Sequence, residues 1–140
     1  MRFVLDTDVV IASMRSPTGA SAALLRYATE GRLTLLISVA LALEYEDVCH
    51  RPEHRLATGL TLHEVEAFIN GIISLAEPVE AHFRWRPSLR DPCDEMVLET
   101  AVNGQADALV TFNLRDYKNV PSGFGIEVMV PAEALRRIRV

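Results

Sequence analysis

A chain of 140 residues with 49% apolar and 24% charged residues has a globular balance, and is long enough to bury roughly 70% of its unfolded surface. No stretch approaches the roughly 20 consecutive apolar residues of a membrane span, and Asp6 interrupts Phe3-Val4-Leu5 before that run can serve as a signal peptide. The formal charge of −5 argues against broad, nonspecific binding to phosphate backbones, while two cysteines, Cys49 and Cys93, are too few for a disulfide framework and point to a reducing cytoplasm.

In chain order, Arg2–Leu5 reads as a short buried strand that ends at Asp6. Ala20–Thr29 reads as a helix stopped by Gly31, and Leu33–Ile37 as a second strand ending at Ser38. Leu41, Glu44, Tyr45 and Val48 recur at helical spacing, and Pro52 closes that segment. Thr61-Leu62-His63-Glu64 has the form of a capping box, and the apolar stripe continues through Val65, Phe68, Ile69 and Ile72; Ile73–Ala76 reads as a third short strand. Asp91-Pro92 opens a helix that runs to Gly104. Ala108–Val110 is a strand ending in Thr111, Glu127–Val130 is the last strand, and Pro131 starts a terminal helix. Short apolar runs alternating with helices predict an α/β fold, a three-layer α/β/α sandwich around a parallel sheet of four or five strands. With no linker, repeat or low-complexity tract, residues 1–140 read as a single domain.

In open parallel sheets ligands sit beyond the carboxyl ends of the strands, where Asp6 and the stretch Thr111–Asn113 fall. Two helices add acids. Glu44 is aligned with Leu41, Tyr45 and Val48, and Asp94 with Val97, Leu98 and Ala101, so both are predicted on core-facing stripes. A carboxylate there is costly unless something compensates, and a shared divalent cation does so because hard cations take oxygen ligands. The acids also fall in local groups (Asp6 with Asp8, Glu44 with Glu46, Asp91 with Asp94 and Glu95) whose field such an ion reverses. Each acid has a plainer reading. Asp6 can begin a turn, Asp91 can cap a helix, Asp94 can complement its macrodipole, and Asn113 and Asp116 can form a polar loop. Cys49, His50 and His54 lack a fourth zinc ligand, Cys93 lacks a partner base, and Trp85 between Arg84 and Arg86 reads either as an anchoring aromatic or as a base-stacking side chain.

Leu5-Asp6-Thr7-Asp8-Val9, Glu44 on a mid-chain helix, Asp91-Pro92-Cys93-Asp94 opening a later helix, and Leu109-Val110-Thr111-Phe112-Asn113-Leu114-Arg115-Asp116 together resemble the PIN domain, in particular its bacterial toxin components related to VapC-type toxins. No one motif is specific, but the four occur in order over nearly the whole chain. The resemblance implies a metal-dependent endoribonuclease that cleaves single-stranded RNA with one or two Mg²⁺ or Mn²⁺ ions held by acids, here Asp6, Glu44 and Asp94. It also implies an antitoxin partner and a homodimer. Thr7 and Thr111 are the hydroxyls expected behind the acids. The family's fourth acid falls where this chain has Asn113, so Asp116 is the candidate to supply the charge. The residue after Thr7, often Asn in the family, is here Asp8. Two enzyme rivals share the Asp-rich strand end: a haloacid-dehalogenase-like phosphatase with Asp6 as nucleophile and Asp8 as acid/base, and a phosphoacceptor receiver module. Both require a lysine in a setting where this chain has none, since Lys118 follows the final acidic motif. A degenerate, non-catalytic PIN-like binding domain is the third alternative.

Overall fold

The computed structural model describes residues 1–80, 91–117 and 119–139. Trp85 with its flanking arginines, and Lys118, lie outside the described residues. Five strands, β1 (Arg2–Leu5), β2 (Thr34–Ile37), β3 (Glu77–Pro78), β4 (Ala108–Val110) and β5 (Glu127–Met129), form one all-parallel sheet in the order β3-β2-β1-β4-β5. The central strands β1, β2 and β4 are buried almost throughout, as the apolar runs Phe3-Val4-Leu5, Leu35-Leu36-Ile37 and Ala108-Leu109-Val110 require of strands covered on both faces. Pro78, which cannot donate to a ladder, is confined to the exposed edge strand β3.

Eight α-helices are described: α1 (Thr7–Arg15), α2 (Ala20–Thr29), α3 (Val39–Cys49), α4 (Pro52–Thr58), α5 (Leu62–Leu75), α6 (Pro92–Asn103), α7 (Leu114–Tyr117) and α8 (Pro131–Arg139). They flank the sheet in the three-layer arrangement that the sequence predicts. Helix α6 lies on β1, β2 and β4, whereas α1 packs on α2 and α3, and α2 on α8.

Two local expectations are corrected, and helix α1 is additional to the predicted elements. Helix α1 follows β1 without a loop, although Val9-Val10-Ile11 has the β-branched character of a strand; burial of Val9, Val10 and Met14 outweighs that propensity. Pro52 does not close α3, which ends at Cys49; it occupies the first turn of α4, where its missing N–H costs nothing. Ile73–Ala76 is not a strand. The stripe Val65, Phe68, Ile69, Ile72 keeps its helical period through Leu75 and Ala76, which pack on the core, so α5 persists and the strand begins only at Glu77. The predicted capping box is present: Thr61 Oγ1 accepts from Glu64 N and Glu64 Oε1 accepts from Thr61 N, both at 3.1 Å.

Gly104 ends α6 as expected, but in a right-handed conformation, so positive φ is not the reason for a glycine. The reason is space. A Cβ at 104 would lie 2.8 Å from Leu36 Cδ1, 2.9 Å from Val79 Cγ2 and 2.9 Å from the Thr100 carbonyl oxygen. Arg2 adds to the constraint, because its Nη2 and Nε donate to the Gly104 carbonyl at 2.9 and 3.2 Å while Nη2 also pairs with Glu77. Gly104→Ala is therefore expected to destabilise the protein by about 1–3 kcal/mol through overpacking. Urea unfolding measures this, and an unchanged midpoint would show that the β2–α6 contact relaxes freely.

Candidate active site

In the order β3-β2-β1-β4-β5 the direction of winding reverses between β1 and β4, which opens a crevice at the carboxyl ends of those two strands. Their first residues past the ladder are Asp6 and Thr111. The ladder holds both: Asp6 N donates to the Val110 carbonyl at 2.8 Å and Thr111 N to the Met129 carbonyl at 3.0 Å. Asp6 is also the N-cap of α1, and its side chain accepts from Thr7 N at the strand-to-helix junction.

The Asp6 carboxylate is 7% exposed and accepts three hydrogen bonds. Oδ1 takes one from Thr7 N at 2.7 Å; Oδ2 takes one from the Thr111 hydroxyl at 2.8 Å and one from the Tyr117 phenol at 3.0 Å. Burial pushes its pKa up and these three donors pull it back, while the charge of Asp116 pushes it further up. Asp94, in the first turn of α6 and 9% exposed, approaches from the other side, with Oδ1 3.4 Å from the same Tyr117 hydroxyl. Tyr117 carries one phenolic proton between two carboxylates. Burial, and the charges of Asp6 and Asp94, drive its pKa far above the ordinary phenol range, so it remains a donor, and the shorter contact goes to Asp6. Asp94 is left short of a donor. Burial first, then the charges of Asp6, Asp91 and Asp116, raise its pKa to about 6.

Asp8, two residues past Asp6 in the first turn of α1, belongs to the same cluster. Its Oδ2 accepts from Phe112 N at 3.1 Å and from the Asn113 side-chain amide at 3.0 Å, with the Thr111 hydroxyl at 3.5 Å. Its Oδ1 is buried without a hydrogen-bond partner, as is the Thr7 hydroxyl beside it. Burial and the charge of Asp6 raise the Asp8 pKa to about 6.

The predicted acids are thus not equally placed. Asp6 and Asp94 meet at Tyr117. Asp116 is exposed in α7 but close enough for its charge to raise both. Asn113 lies on Asp8. Glu44 is not on the buried stripe expected of it: Leu41, Tyr45 and Val48 are buried, whereas Glu44 is half-buried and accepts a hydrogen bond from the Cys93 thiol at 3.4 Å. Through that contact Cys93 keeps its proton at the start of α6. Burial, and then the hydrogen bond to Glu44, raise the Cys93 pKa to about 11, so the thiol is a donor. Cys49 is buried, its pKa raised to about 12 by desolvation. Asp91 caps α6 by accepting from Cys93 N at 2.8 Å. Two contributors escaped the sequence reading. Tyr117 is one; its signal was a lone aromatic three residues past the Thr111–Leu114 stretch, in a loop-like segment. Asp8 is the other: the sequence groups it with Asp6 and gives it an acid/base role in the phosphatase alternative, but does not place it among the metal-holding acids.

Hard oxygen donors in negative surplus suit Mg²⁺ or Mn²⁺. No ion pair among the described residues reaches Asp6, Asp8, Asp94 or Asp116. Two buried oxygens, on Thr7 and Asp8, have no partner. Among the described residues, however, no three acidic, histidine or cysteine side chains converge as a preformed cage. The residues present fit an ion that keeps much of its water, as Mg²⁺ does, and takes one or two carboxylates directly.

An all-parallel sheet with acidic helix starts gathered at its switch point is a PIN-like α/β/α fold. A family model described as the PIN domain matches residues 2–115, and the chain belongs to the PIN domain family. The fold is similar to that of a chain in the crystal structure of VapBC2 from Rickettsia felis bound to a DNA fragment from their promoter. That match has a TM-score of 0.62 at 15% sequence identity and covers 91% of this chain and 97% of that one. No curated protein sequence matches.

The raised acids give the metal-free protein a distinctive pH dependence. Unfolded aspartates titrate near 3.8, while Asp8 and Asp94 titrate near 6 in the fold. Between those values the native state holds protons that the unfolded chain has released, so stability falls as pH rises through the window. In EDTA, the thermal midpoint is expected to be higher at about pH 5 than at about pH 7.5, and Asp94→Asn should reduce that difference. A midpoint that climbs over this range, or an unaltered difference in the variant, contradicts the assignment.

Proposed function

We propose that this protein is a Mg²⁺- or Mn²⁺-dependent endoribonuclease acting on single-stranded RNA, and the toxin of a toxin–antitoxin pair. The observation that carries the chemistry is the single phenolic proton of Tyr117 shared by the buried carboxylates of Asp6 and Asp94, a deficit that a divalent cation corrects. Asp6 and Asp94 would hold the ion, with Glu44 on α3, against the start of α6, and Asp116 on α7 adding negative charge around it. Such an ion supplies Lewis acidity toward a phosphodiester and lowers the pKa of water to make a nucleophile. The chain's own residues do the rest. Thr111 and Tyr117 fix the Asp6 carboxylate, and Tyr117 fixes the distance between Asp6 and Asp94. At the β1–α1 junction Thr7 N–H holds the other oxygen of Asp6. No histidine or cysteine is needed, and the thiol of Cys93 is occupied by Glu44.

The phosphatase alternative fits less well. That chemistry requires a lysine before the final acidic motif, and the chain's one lysine, Lys118, follows it.

For partners, α3 and α6 border a groove lined by Val39, Leu43, Met96 and Thr100, with Val39 78% and Leu43 60% exposed. These helices also carry Glu44 and Asp94, so an antitoxin segment seated there would lie on elements that build the active site. Leu56 on α4 and Leu62 at the start of α5 are exposed as well, and support pairing with a second copy of the chain. The family match and the fold likeness favour the toxin reading, and no helix among the described residues is long and apolar enough to cross a membrane. Cytoplasmic RNA is the substrate in this reading.

The test is cleavage of a labelled single-stranded RNA with Mg²⁺, Mn²⁺ or EDTA. Cutting is expected with either ion, none with EDTA, and a fall of about a hundredfold or more in Asp94→Asn, since even residues behind a metal ligand cost 10–100-fold. Folded wild-type protein that binds metal but cuts no RNA would leave the degenerate binding domain as the reading.

A further inference from the structure

Asp8 has a charge that its structural role does not use. The loop after β4 needs an acceptor for Phe112 N–H and the Asn113 amide, and Asp8 Oδ2 provides it at 3.1 and 3.0 Å. An asparagine at position 8 would accept the same bonds through its carbonyl oxygen without placing a second carboxylate beside Asp6. What the carboxylate adds is Oδ1, buried and without a partner, next to a Thr7 hydroxyl in the same condition. Asp8 as a whole is half-buried, but this oxygen is not exposed, and Thr7 is buried. Desolvating a carboxylate with one oxygen unsatisfied, beside another carboxylate, is unfavourable unless something positive completes it.

The partner across the contact has the opposite character. Asn113 donates to Asp8, whereas an aspartate there would bring two carboxylates to about 3 Å, where like charges cannot both stay ionised. The 8–113 contact therefore accommodates one carboxylate and one amide, and both orders preserve the hydrogen bond. We infer that Asp8 supplies the site's fourth carboxylate toward the divalent cation, through Oδ1, and that Asn113 is the positioning residue that holds Asp8 by its other oxygen. Asn113, two residues past Thr111, thus keeps its place in the site while the charge lies across the contact, on α1. Asp116, exposed and turned into α7, is not required as the substitute.

This assignment rests on the proposed metal site, and the experiment separates the two. Mn²⁺ binding is measured by the electron paramagnetic resonance signal of the free ion, alongside RNA cleavage and a thermal melt, for wild type, Asp8→Asn and the exchanged pair Asp8→Asn/Asn113→Asp. The expected result is a folded Asp8→Asn with Mn²⁺ affinity weakened by about tenfold or more, and recovery of most of that loss in the exchanged pair. A purely structural Asp8 would shift the melt and leave Mn²⁺ affinity alone. Asp8→Asn that binds Mn²⁺ as wild type does, or a folded exchanged pair that binds no better than Asp8→Asn, overturns the inference. Should Asp8→Asn not fold, the exchanged pair keeps the hydrogen bond, and its affinity alone decides: wild-type binding supports the inference and lost binding overturns it. Wild type that binds no Mn²⁺ removes the metal site and this assignment together, whereas wild type that binds Mn²⁺ and cuts no RNA removes only the nuclease reading.

Discussion

Three carboxylates at the end of a parallel sheet, with too few donors to satisfy them, are the constraint around which this molecule is organised. Asp6 takes three hydrogen bonds, Asp94 shares the proton that Tyr117 gives mainly to Asp6, and one oxygen of Asp8 has nothing. In water such groups would be solvated. Here they are held in place by elements that cannot move independently: β1 and β4 are adjacent in the ladder, and Asp6 and Thr111 follow them directly. Tyr117, with no exposed surface, closes the cluster from α7.

The fold eases part of the cost. Asp6 caps α1 and Asp8 lies in its first turn, while Asp91 caps α6 and Asp94 lies in its first turn. Because Asp6 and Asp94 meet at one hydroxyl, the N-termini of α1 and α6 converge there, and each contributes a partial positive charge where the acids accumulate. Helix dipoles of this size offset a fraction of a buried charge, not several of them, which is why the acids still titrate high. The sheet and helices position the cluster, and the remaining imbalance is left for a cation.

Much of this was legible in the amino-acid order. Strands and helices separated by short connections gave the three layers, and Asp6, Asp94 and Thr111 could be placed at strand and helix ends from punctuation such as Asp91-Pro92 and Gly104. The failures have physical causes. Helix α1 was hidden because β-branched residues fill it and because Asp6 serves as strand end and helix cap at once, leaving no loop to mark the boundary. Glu44 was assigned to a buried stripe because it lies three residues after Leu41 and four before Val48, yet that spacing puts it at the edge of the arc that Leu41, Tyr45 and Val48 share. Tyr117 lies two residues beyond the segment matched by the family model, and its role depends on a four-residue helix that no periodicity can announce. The pairing of Asp8 with Asn113 spans 105 residues and is invisible until β1 and β4 are side by side.

The surplus of negative charge also bears on how a polyanion could enter. With a formal charge of −5 overall and Asp6, Asp8, Asp94 and Asp116 around one crevice, the site repels a phosphodiester as it stands. A divalent cation inverts that local field, so in the proposed reaction metal and RNA are not independent ligands: the ion that neutralises the acids also creates the only strongly attractive point for phosphate among them. Coupling of this kind makes RNA affinity at the site conditional on the metal. It also assigns the carboxylates two tasks, holding the ion and, in its absence, keeping the substrate out.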